Sequence, residues 1–173
     1  MRQIIIANPI EALIKEATRY IGSVENPGNN NRSILIDYWN FEAIQDWRDF
    51  PMGGCGAPWC AAFVHGVGKQ ALGVGWPLPR TGMVQTLVDW AKTKGVFYLN
   101  GAKVGDLLVL FYPTLVPPRY GHVGIVTEAN ADTTFSTIEG NTNPGGSREG
   151  YGVFRRQRNH TDRCGFIRWI EAI

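Results

Sequence analysis

No apolar stretch of the sequence approaches the roughly 20 residues that cross a bilayer as a helix, so a membrane-spanning helix is not expected. Cysteine is scarce. Cys55, Cys60 and Cys164 cannot all pair within one chain, so at least one is a thiol unless it is bridged to another molecule. That favours chemistry over a disulfide framework. A dominant sign of charge is lacking too: 17 basic against 15 acidic side chains leave a formal charge of +2, too small an excess to expect nucleic-acid binding. The nearest basic run, Phe154-Arg155-Arg156-Gln157-Arg158, follows Tyr151 and Val153 in an alternating pattern and reads as a partly solvated strand. There is no low-complexity segment. The run Ile4-Ile5-Ile6-Ala7 is shorter than a secretory h-region and is followed at once by Asn8-Pro9, so no ordinary signal peptide is expected.

What is present fits one sizeable core. With 173 residues, 44% of them hydrophobic, the chain is expected to form a single domain over residues 1–173. Gly (21) and Pro (10) are spread along it, which implies many turns and short strands.

The first half reads as helices. Asn8-Pro9-Ile10-Glu11 is a helix start, with Asn8 as cap, Pro9 where no N–H is needed and Glu11 at a box-like spacing. Ile10, Leu13, Ile14, Ala17 and Ile21 mark its apolar face, and the helix is expected to end near Gly22. A polar loop over 25–31 precedes a short helix over Ser33 to Trp39. The loop 51–58 stops at Trp59-Cys60-Ala61-Ala62-Phe63-Val64, where good helix formers begin, so Cys60 falls in the first turn of a helix. Another helix is expected from Thr81, as cap, to Lys94, with Gly95 as the stop. Beyond it, short runs rich in Val, Ile, Phe and Tyr read as strands: 96–99, 106–112, 122–128, 133–139, 151–155 and 166–170. Helices first and strands later imply an α+β fold, its antiparallel sheet packed against the N-terminal helices.

A cysteine at a helix start sits where unpaired N–H groups and the dipole favour thiolate, the nucleophilic form. The N–H of Cys60 can also donate to an oxyanion. His122, in Gly121-His122-Val123-Gly124-Ile125-Val126, is the candidate base, with glycines on either side that permit close approach of substrate or backbone. If Asn130-Ala131 centre a tight hairpin, His122 faces Glu139 directly, at the roughly 4.5–5.5 Å between Cβ atoms typical of opposed pairs. Glu139 is then expected to orient the imidazole and favour its protonated form. Asn141, two residues on, shares that face if the strand continues.

Pro58-Trp59-Cys60-Ala61-Ala62-Phe63, Gly105-Asp106, Gly121-His122-Val123-Gly124-Ile125-Val126 and Ile138-Glu139-Gly140-Asn141, in that order, resemble the CHAP family, the cysteine, histidine-dependent amidohydrolases and peptidases related to NlpC/P60 peptidases. The resemblance implies a papain-like, NlpC/P60-like core and cleavage of an amide bond in bacterial peptidoglycan, either between muramic acid and L-alanine or within the peptides. It casts Cys60 as nucleophile, His122 as base then acid, Glu139 as its orienter and Asn141 as an accessory polar group. Many members carry Gln just before the nucleophile, where this chain has Trp59, so the second oxyanion donor is left open. No cofactor is expected. A monomer acting in the periplasm or cell wall is expected, delivered by phage lysis or tail machinery or by a specialised secretion system, and faced by an inhibitor or immunity protein if it is a toxin.

Trp59 beside the thiol, Tyr120 at the end of the proline-rich segment 112–120, and Gly121 are the expected substrate-binding residues. The other aromatics are assigned to the core. Cys55 is the rival thiol but has no helix directly after it. His65, five residues past Cys60, points away from the thiol, and His160 is expected to be solvated in a polar loop. Cys55, Cys60, His160 and Cys164 match no common zinc spacing, and Asp46 and Asp49 form no recognisable calcium loop, so no metal is expected. The alternatives are a non-catalytic module that binds wall or a partner on the same fold, which the complete set of polar side chains argues against, and the same chemistry on a small glutathione-like amide.

Overall fold

Asn8 opens the first helix as its side chain allows: Oδ1 accepts the Glu11 N–H at 3.1 Å, and Pro9 occupies the first turn. In the computed structural model, which describes residues 8–27, 31–43, 57–131, 133–147 and 149–173, this helix (α1) spans Pro9–Thr18. Turns then carry the chain to Gly22, whose φ of +90° a side chain would resist. Leu13 and Ala17 are buried, Ile10 and Ile14 pack at the edge, and Ile21 lies past the helix end and is exposed. α2 spans Ile34–Ala43, ending four residues later than the sequence suggested, and α3 spans Cys60–Leu72. α4 runs Val84–Thr93 with Met83 at its cap. Thr81 is not the cap: its Oγ1 accepts the Met83 N–H at 3.0 Å, which closes a short turn ahead of the helix.

Six strands follow: β1 Phe97–Tyr98, β2 Leu107–Tyr112, β3 Arg119–Ala129, β4 Thr134–Thr142, β5 Gly152–Asn159 and β6 Cys164–Ile167. They form one sheet in the order β1-β6-β2-β3-β4-β5, antiparallel at every pairing. The expected α+β fold is therefore present. The last segment differs: β6 begins at Cys164, and Trp169–Ala172 is a 3-10 turn instead of strand.

Period-two alternation divides the sheet's side chains. Leu107 and Val109 join the main core with Val123, Ile125 and Ile138 against the helices, whereas Leu108 falls in a second cluster with Val126, Phe135 and Phe166. Asp106, just before β2, is buried and accepts from Arg168 Nε at 3.1 Å and a terminal nitrogen at 3.0 Å, which fastens the end of the chain to the sheet.

The β3–β4 hairpin departs from the expected register. Its connection is four residues, 130–133, with Asn130 N–H bonded to the Thr134 carbonyl at 2.9 Å. Ile125 therefore faces Ile138 and Val126 faces Thr137, two positions from the register a tight Asn130-Ala131 turn imposes. A bulge follows between Val126 and Glu128. At Ile125 and Val126 the shift is even, so side chains on that side of the bulge keep their face, whereas beyond it Glu128 faces Ser136, three positions from the expected register.

Candidate active site

α3 is the helix against which α1 and α2 pack. Cys60 to Gly68 are all buried, and Trp39 of α2 packs edge-on against Phe63 at 5.2 Å and stacks on Trp59 at 5.8 Å. The helix begins abruptly: Trp59 is non-helical (φ −117°, ψ 15°), and its carbonyl accepts the first helical bond, from Phe63 N–H at 2.9 Å. Trp59 contributes no side-chain cap, so the first-turn N–H groups at Cys60 are left to other partners. The sequence-expected position of Cys60 at a helix start is what the structure has.

β4 passes directly over this helix start. A Cβ at Gly140 would come within 2.7 Å of both Phe63 and the Trp59 ring, so glycine is required for the strand to lie that close. Its neighbours Glu139 and Asn141 are thereby held beside Cys60's end of α3, and both are fully buried. Asn141 does not continue the regular strand: the ladder with β5 breaks between Glu139 and Thr142, and Asn141 sits in the break at φ +55°.

His122 and Glu139 meet. Nε2 of the imidazole lies 2.8 Å from Oε2 of the carboxylate, and both side chains are shut off from solvent. They do so as diagonal neighbours, because the register is shifted by two, and the carboxylate's stem passes over Gly124, where a Cβ would come within 2.4 Å of Glu139 Cγ. Nδ1, the other ring nitrogen, has no hydrogen-bond partner among the described residues. Burial alone depresses the basicity of His122, but the Cys60 thiol and the Glu139 carboxylate more than offset it and hold the imidazole up to about 9. Cys60 is thus electrostatically within reach of the ring that Glu139 orients.

Glu139 has two further partners that sequence reasoning did not supply. Thr137 Oγ1 donates to Oε1 at 2.5 Å, and Arg158 grips both oxygens, Nε to Oε1 at 2.9 Å and a terminal nitrogen to Oε2 at 2.5 Å. Burial raises the carboxyl, yet His122 and Arg158 together drive it well below the usual range. The partly solvated strand expected over 154–158 is present: Arg155 and Gln157 are exposed, and Arg156 and Arg158 turn to the other side of β5 and are half-buried, so the run is not merely a solvated face. Strand alternation was the available signal.

Of the expected substrate-binding residues, Tyr120 and Gly121 line a cavity of about 190 Å³ that contains Cys60, together with Pro58, Met83, Gln85 and Arg119. The Tyr120 N–H is fixed by Gln85 Oε1 at 3.0 Å. Trp59 does not line it. Its ring is fully buried under Trp39, and its Nε1 donates to Glu25 Oε1 at 3.0 Å, which makes it a packing residue next to Cys60. His65 is buried in α3, where desolvation foremost lowers it to about 4, so it is a neutral core residue. His160 is not simply solvated: it stacks on Phe166 at 6.1 Å, and its Nε2 lies 2.8 Å from the Leu99 carbonyl. Cys164 begins β6 with its sulfur 3.6 Å from Thr161 Oγ1. Among the described residues, no group of three His, Cys, Asp or Glu stands close enough together to hold a metal. Cys55, Asp46 and Asp49 lie outside the described residues.

A family model for the CHAP domain matches residues 52–141, just over half of the 173-residue chain and inclusive of Cys60, His122, Glu139 and Asn141. Among solved structures, an N-acetylmuramoyl-L-alanine amidase from Staphylococcus aureus aligns with a TM-score of 0.44 at 18% identity, over 73% of this chain and 33% of its own. The crystal structure of Ly7917 aligns with a TM-score of 0.48 at 16% identity, over 91% of this chain and 61% of its own. The chain thus spans about a third of the former's length and about three fifths of the latter's. No curated protein matches the sequence.

Proposed function

Since the chain belongs to the CHAP domain family, we propose that it hydrolyses an amide bond of bacterial peptidoglycan, at the muramoyl-alanine linkage or within the peptides, with Cys60 as nucleophile. The observation that carries the reading is the buried imidazole of His122, engaged by Glu139 at Nε2, raised in basicity by Cys60, and without a partner at Nδ1. Nδ1 is then the nitrogen that takes the thiol proton. The thiolate attacks the carbonyl carbon, and the oxygen's developing charge meets the Cys60 N–H at the positive end of α3. His122 returns the proton to the amide nitrogen as the C–N bond breaks, which leaves a thioester and a free amine. Water, deprotonated by the same imidazole, cleaves the thioester and restores the thiol. Asn141, buried where β4 bends beside this end of α3, is assigned to the same site as an accessory polar group. Tyr120 and Gly121 form the wall along which the acyl part lies. The reaction takes place on wall material in the periplasm or cell wall.

The test is purified protein on isolated peptidoglycan, with mass spectrometry of what is released. Wild type is expected to liberate new amines and fragments whose masses name the bond, and Cys60→Ala to liberate none. Equal release by both proteins would overturn the proposal. So would binding to wall without release by wild type, the outcome that marks a non-catalytic module.

A further inference from the structure

Glu139 is wholly buried, and each of its oxygens receives two donors: Oε1 from Thr137 and Arg158 Nε, Oε2 from His122 and the Arg158 terminal nitrogen. Thr137 brings no charge, and the charge of His122 comes and goes with its proton. Arg158 is the permanent cation on this carboxylate among the described residues. The other groups that act on Arg158 are Tyr112 of β2 and Cys164 of β6, and Asp162 and Arg163 line the same cavity; the carboxylate hydrogen-bonded to it among the described residues is Glu139. Arg156, beside it around Gly146, is committed to the Pro144 carbonyl. His122 in turn faces Cys60 from α3 and Glu139 from β4.

The charges can be counted on either side of the proton transfer. With a thiol and a neutral imidazole, Glu139 and Arg158 cancel. With a thiolate and an imidazolium, all four charges cancel again. The proton therefore moves between two neutral arrangements, and a buried site avoids the high cost of an uncompensated charge in either one. Remove Arg158 and the count changes. Imidazolium and thiolate then leave the carboxylate uncompensated, so formation of the thiolate puts a net negative charge in the interior. We infer that Arg158 is a positioning residue of this site, whose guanidinium fixes Glu139 and keeps the Cys60–His122–Glu139 set electrically balanced so that His122 can act as a base. The inference rests on the reading of Cys60 as nucleophile.

Iodoacetamide labelling of each cysteine, resolved by mass spectrometry across the acid and neutral range, tests it. In Arg158→Met the pH at which Cys60 becomes reactive is expected to rise by about one unit or more, whereas Arg158→Lys, which keeps the charge, is expected to stay near wild type. A folded Arg158→Met whose profile superimposes on wild type overturns the inference, as does Arg158→Lys shifted as far as Arg158→Met. If Arg158→Met does not fold, Arg158→Gln, which keeps a donor to Glu139 and loses the charge, takes its place: it must again become reactive at the higher pH, and a profile that superimposes on wild type overturns the inference. Labelling needs no substrate. A wild type that labels as expected and releases nothing from peptidoglycan counts against the proposed reaction alone.

Discussion

Glu139 reaches His122 along the sheet instead of straight across it, with Nε2 and Oε2 at 2.8 Å and the carboxylate stem lying over Gly124. That path exists only because position 124 has no side chain. In Gly124→Ala the new methyl group meets Glu139 Cγ at 2.4 Å, inside any tolerable contact, and the carboxylate must move. Turnover on peptidoglycan is expected to fall about 10²-fold, the usual effect of a misplacement near 1 Å. Unchanged turnover in a folded Gly124→Ala protein would show that the carboxylate's position does not matter.

Glu139→Gln removes the charge that, with Cys60, holds His122 up to about 9, and keeps the shape. A loss of about 10²- to 10⁴-fold in turnover is expected, the range of acid–base assistance. Stability falls less, because the Arg158 side chain left without its anion is 18% exposed and can turn to water. Rate and melting temperature, measured on one preparation, decide this; a large loss of melting temperature with turnover intact contradicts it.

Stability should depend on pH through the same pair. His122 titrates near 6.5 in the unfolded chain and near 9 in the fold, so its protonated form stabilises the fold fully below 6.5, and this contribution is lost as pH rises through about 9. Glu139 works in the opposite sense: its folded value is depressed, so its contribution is present above its ordinary 4.5 and fades as the solution becomes more acid. Melting temperature followed over this range is expected to decline on the alkaline side more steeply in wild type than in His122→Gln. Parallel alkaline limbs in the two proteins would be inconsistent with a raised His122.

Trp59→Phe discriminates packing from substrate contact. Loss of the bond from Nε1 to Glu25 and of the stack on Trp39 is expected to cost about 1–3 kcal/mol of stability. KM for a soluble peptidoglycan fragment is expected to hold, since the ring is fully buried. A raised KM with unchanged stability would restore Trp59 to the groove.

The helical half of the fold was legible where caps are local chemistry, as at Asn8 and at the abrupt start of α3, and was misread at Thr81, whose hydroxyl serves a turn that the sequence equally permits. The meeting of His122 with Glu139 was legible for a physical reason: a two-residue error in register preserves the face, whereas an error of one would have separated them. Arg158 escaped notice because its partner lies a full strand away, and a basic run resembles a solvated face until the alternation of β5 is followed to its end. Trp59 was misplaced for a related reason. Adjacency to a reactive atom in sequence says nothing of which side of the helix start a ring occupies, and here the pull of Glu25 and Trp39 draws it inward.

The helix that carries Cys60 is sheathed along its first nine residues, by Trp39, by Trp59 and by the strand that crosses at Gly140. Under the proposed reaction, a sulfur mounted this firmly leaves the fit to substrate to the opposite bank, where Leu115, Arg119 and Tyr120 border the cavity. If the proposed activity holds, variation confined to that bank is expected to change which substrate is accepted and leave Cys60, His122 and Glu139 undisturbed, which makes it the natural place to begin a redesign of selectivity.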